Sequence, residues 1–81
     1  MEPITPRQVQ QILAVTDRLG LHREAVVIPL GREGAGGLVV TPRRKLEITA
    51  PEGPGFEEWL ARLPDQVARL DLAGVLRADD D

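Results

Sequence analysis

The sequence contains no Cys, Ser, Tyr or Asn, and only one His (His22), one Lys (Lys45) and one Met (Met1). Each absence removes a chemistry. Without Cys there is no disulfide framework and no thiolate nucleophile. A single His cannot complete the usual Cys/His zinc tetrahedron. Hydroxyl nucleophiles are reduced to four Thr. The aromatic residues are Phe56 and Trp59 alone, so platforms for stacking bases are scarce and the core must be built from Val, Leu and Ile. The longest aliphatic run, residues 25–28, falls far short of the ~20 residues needed to span a bilayer. The first residues, Met1-Glu2-Pro3, are acidic with no apolar stretch behind them, so no secretory signal is read and a cytoplasmic location is expected. No catalytic, cofactor-binding or metal-binding residues are assigned, and an enzyme is not expected.

What is present is acidic, Arg-rich and aliphatic: nine Arg, thirteen Asp and Glu, and 42% hydrophobic residues. That balance belongs to a folded domain. Eighty-one residues make one small domain, read here as residues 1–78, with Asp79-Asp80-Asp81 as a disordered acidic tail. A chain of this size buries only about 60% of its unfolded surface. Tight packing or association with a second chain must supply the rest of its stability. Arg in place of Lys, with abundant Ala, Gly and Pro, matches a GC-rich bacterial genome; loss of Asn and Cys also suits a thermophile. Charge is uneven. Residues 1–45 carry seven Lys and Arg against four Asp and Glu, and residues 46–81 carry three against nine.

The first helix is the best-marked element. Thr5 is a good N-cap, Pro6 suits the first helical position, and Gln8 completes a capping box. Val9, Ile12, Leu13, Thr16 and Leu19 form one stripe, and Gly20 supplies a left-handed terminator, so a helix is predicted over 6–19. Three strands are predicted next, over 24–30, 38–41 and 45–50. The third alternates cleanly, with Leu46, Ile48 and Ala50 on one side and Lys45, Glu47 and Thr49 on the other. Residues 51–55 form a Pro/Gly linker. A second helical stripe then reads Phe56, Trp59, Leu60, Leu63, Val67 and Leu70, and Pro64 is expected to kink it or divide it into a pair of short helices. The order α-β-β-β-α predicts a small two-layer α+β domain with a three-stranded antiparallel meander and a Pro-broken C-terminal helix pair.

The first two strands are apolar on both faces, whereas a sheet with one wet face should alternate. This points to a cover on part of the second face: one of this chain's helices, another copy of the chain, or a different protein. Val27 and Val39, with Lys45, Glu47 and Thr49 on the same or a neighbouring surface, are the candidate partner-binding residues. The Gly-rich run 31–37 resembles a phosphate loop only in composition, because a strand rather than a helix follows it; a flexible hairpin loop is expected there. Arg32 beside it, and the basic turn Arg43-Arg44-Lys45, are the candidate contacts for nucleic-acid phosphates or another anion. His22 with Glu24 reads as polar punctuation after the helix cap. Glu57 and Glu58 suit a helix N-terminus. The function expected is a non-catalytic protein-interaction or regulatory module, acting as a homodimer or as a subunit. A nucleic-acid accessory protein using the basic turn is the alternative.

Overall fold

A computed structural model describes residues 3–77; the predicted tail at 79–81 and the domain boundary at 78 lie outside the described residues. Helix α1 (Pro6–Arg18) begins as its sequence dictates. Thr5 Oγ1 accepts from the Gln8 backbone N–H at 3.1 Å, and Gln8 Oε1 accepts from the Thr5 N–H at 3.0 Å. Its end is a Schellman motif. The Gly20 N–H donates to the Asp17 carbonyl and the Leu21 N–H to that of Thr16, both at 3.1 Å, with Gly20 at φ 80°. Leu21 is thereby folded into the core. Thr16, also buried, donates its hydroxyl to the Leu13 carbonyl at 3.0 Å.

A 3-10 turn (Arg23–Ala25) leads into β1 (Val26–Val27), followed by β2 (Gly37–Val40) and β3 (Leu46–Thr49). Strand β1 is shorter than the predicted 24–30. Ala25 is taken by the turn, and Pro29 has no N–H to extend a ladder.

The sheet is mixed, not the predicted antiparallel meander. Its order is β1-β3-β2, with β1 parallel to β3 and β2 antiparallel to it. The connection from β1 to β2 is a crossover, not a hairpin loop. It passes over the C-terminal end of β3, where the Glu33 N–H donates to the Ala50 carbonyl at 3.0 Å and the Glu52 N–H to that of Gly34 at 2.9 Å. Residues 28–36 exceed the two to five residues of a usual hairpin loop, and that width leaves room for a third strand between β1 and β2.

Helix α2 (Phe56–Ala68) runs through Pro64 as one helix, where a broken pair was expected. Proline in a helix interior costs about 3 kcal/mol. Phe56, Trp59, Leu63 and Val67 are all buried on one face of this helix, before and after the proline. Full burial of a side chain of this size is worth roughly 1.5–3 kcal/mol, so the shared stripe outweighs the local penalty. The core joins Ile12 of α1 and Leu63 of α2 to Leu46 and Ile48 of β3. After α2 the chain folds back, burying Val75, and the His22 N–H donates to the Leu76 carbonyl at 3.1 Å. Among the described residues, no helix is long and apolar enough to cross a membrane.

Candidate partner interface

Period-two alternation on β3 puts Leu46 and Ile48 against the helices and turns Glu47 and Thr49 outward. The register carries this parity to both neighbours. Val27 of β1 and Val39 of β2 each pair with Glu47, and Gly37 pairs with Thr49. Val27, Glu47 and Val39 thus form one row across the outer face of the sheet. Val39 is 58% exposed and Val27 37%. Lys45 continues the alternation beyond β3 and is exposed. The five candidate residues therefore share one surface, with two aliphatic side chains flanking a carboxylate.

The candidate basic residues separate. Arg43, Arg44 and Lys45 stay together, exposed, at the turn between β2 and β3. The turn is a three-residue loop. The Arg44 N–H donates to the Thr41 carbonyl at 2.9 Å, and the Thr41 N–H to that of Lys45 at 2.8 Å. Arg44 occupies the left-handed position that such loops usually give to Gly, at φ 62°. Among the described residues, none of these three cations has an ion-pair partner. A shallow groove of about 180 Å³ lies at the foot of the turn, between it and Glu24, Gly74 and Leu76.

Arg32 does not belong to this group. It is 7% exposed, and its Nε–H donates to the Pro51 carbonyl at 2.7 Å while an NH2 hydrogen goes to that of Gly53 at 2.9 Å. Its guanidinium serves as a buried fastener between the crossover and the 51–55 linker, which removes it from the candidate anion contacts. Hydrogen bonds from a charged donor are worth about 1.5–3 kcal/mol, so this segment is pinned rather than the flexible loop its glycines suggested.

His22 and Arg23 have structural partners. His22 Nδ1 accepts from the Glu24 N–H at 3.1 Å and caps the 3-10 turn. Arg23 pairs with Asp17 at 2.9 Å, joining that turn to the end of α1. Its hydrogen bond and charge hold the Asp17 carboxyl below the ordinary carboxylate value and raise the guanidinium reciprocally. Phe56 and Trp59 pack against each other in the core, ring centroids 5.7 Å apart. Glu57 and Glu58 lie exposed in the first turn of α2. No group of three or more His, Asp or Glu among the described residues is placed to hold a metal ion.

Sequence reasoning missed two kinds of residue. Leu30 is 73% exposed and Leu76 38%, yet each lies in a short run with no periodicity to mark it. Leu38 and Val40 lie in β2, an outer strand of the sheet, a position that composition does not describe. No family model, curated protein or solved structure matches this chain.

Proposed function

We propose that this chain is a non-catalytic protein-interaction module that works in the cytoplasm and docks a protein partner on the outer face of its sheet. Val27 and Val39 supply the apolar contact, with Glu47, Thr49 and Lys45 around them. The exposure of both valines in a single cross-sheet row carries this reading. An apolar side chain on an open sheet face gains most when a second surface removes it from water. A second reading rests on the basic turn, whose cations have no ion-pair partner among the described residues. Arg43, Arg44 and Lys45 could neutralise phosphates of a nucleic acid, a contact that weakens steeply with salt.

Capture from native lysate with two variants separates the readings. Val27→Lys/Val39→Lys should lose the co-purifying protein, and Arg43→Ala/Arg44→Ala/Lys45→Ala should keep it through nuclease treatment. The opposite pattern, with material that vanishes on nuclease treatment, would transfer the function to the turn. Circular dichroism of both variants checks that the fold is intact.

A further inference from the structure

Strand β2 is an edge of the sheet, and its outward backbone groups can be identified. The bonded Thr41–Lys45 pair sets the alternation, so Val39 and Gly37 turn their N–H and C=O groups toward β3. Leu38 and Val40 turn theirs away. Among the described residues, no backbone hydrogen bond reaches those outward groups. No charged residue or proline interrupts the strand, as commonly protects an exposed edge.

The two ends of this edge carry opposite charge. The basic turn Arg43-Arg44-Lys45 lies at its C-terminal end. Exposed Glu33 and Glu52 lie at the opposite end of the sheet, where β3 ends and β2 begins and the crossover is bonded to the end of β3 and the linker. An antiparallel copy of the same edge brings unlike ends together twice.

We infer that two copies of the chain pair through β2, antiparallel and centred on Val39. Leu38 of each copy pairs with Val40 of the other, which satisfies all the outward N–H and C=O groups of both residues. Val39 meets Val39 of the second copy as a non-hydrogen-bonded pair. This isologous contact makes one six-stranded sheet, with the two outer faces continuous on one side. The arrangement rests on the interaction-module reading and names its first partner as the chain itself, while leaving the outer face open to a different protein.

Light scattering after size exclusion tests it. The wild-type chain should run at twice the 8.9 kDa chain mass. Arg43→Glu/Arg44→Glu should run as a monomer, because both ends become acidic. Glu33→Arg/Glu52→Arg should do the same, because both become basic. An equimolar mixture of the two should regain the dimer, since each contact then joins unlike charges. A misfolded variant would not be rescued by mixing.

A covalent measurement reads the register independently. The chain has no Cys, so Val39→Cys gives a single thiol. In a non-hydrogen-bonded antiparallel pair the Cα atoms lie about 4.5 Å apart, within disulfide range. On oxidation this variant should cross-link at least about tenfold faster than Leu30→Cys, because pairing raises the effective thiol concentration. A monomeric wild type at millimolar concentration, a dimer indifferent to the charge variants, or equal cross-linking rates would overturn the inference. In any of those cases the lysate capture still reports on the outer face, so the two readings fail separately.

Discussion

Gly36 stands where the crossover presses against the end of β3, and the backbone there has no room for a side chain. A Cβ at this position would fall 2.8 Å from the Thr49 carbonyl oxygen and 2.9 Å from Trp59 Nε1, and the residue has φ 78°. Both the left-handed backbone and the contacts oppose any larger residue. Gly36→Ala should therefore lower stability by about 2 kcal/mol or more, read from the urea midpoint; the left-handed conformation alone accounts for roughly 1–2. Arg44 is the converse case. It holds a left-handed φ of 62° with a Cβ present, and its side chain packs over Gly74, where an added Cβ would lie 3.4 Å from Arg44 Cγ. Arg44→Gly should relieve the strain and raise stability by up to about 1 kcal/mol. A fall in stability instead would mean that the Arg44–Gly74 contact outweighs the strain.

At the scale of elements, α1 and α2 are held in different ways. Helix α1 is specified locally, by a capping box at one end and a Schellman motif at the other. Helix α2 has Gly55 at its N-cap, with no side-chain cap, and carries Pro64 in its interior. Its stability comes from the buried stripe. Pro64→Ala should restore one helical hydrogen bond and stabilise the protein by about 1–3 kcal/mol, measured by thermal or urea unfolding. The stripe was readable from residue spacing, but the continuity was not, because a proline penalty is local and the burial that offsets it involves other elements. The same distinction applies to β3. Its two faces follow from alternation alone, since residues two apart must share a side. Which strands lie beside it depends on pairings that period-two spacing does not encode.

At the scale of the molecule, the mixed strand order decides what the surface offers. Placing β3 in the centre buries the most regularly alternating strand and leaves β2 as an edge with a basic and an acidic end. Pairing of copies through that edge would couple folding to association. The melting temperature should then rise with protein concentration, whereas a strict monomer gives the same value over a hundredfold dilution. Calorimetry or circular dichroism over that range distinguishes the two.

The amino-acid sequence by itself determined the absence of thiol and serine chemistry, both boundaries of α1 to within a residue, and the buried stripe of α2. It also determined the alternation that sets Glu47 and Thr49 on one side of β3, while the register that adds Val27 and Val39 to that side came from the structure. These depend on residue identity or on repeats of 2 and 3.6 residues, which act within a few positions along the chain. The tertiary structure alone decided the order β1-β3-β2, the continuity of α2 through Pro64 and the burial of Arg32 against Pro51 and Gly53. It alone also left the backbone of Leu38 and Val40 facing outward. Backbone donors and acceptors are alike in every strand, so which segments pair is decided by how the helices, the crossover and the linker together fill one core.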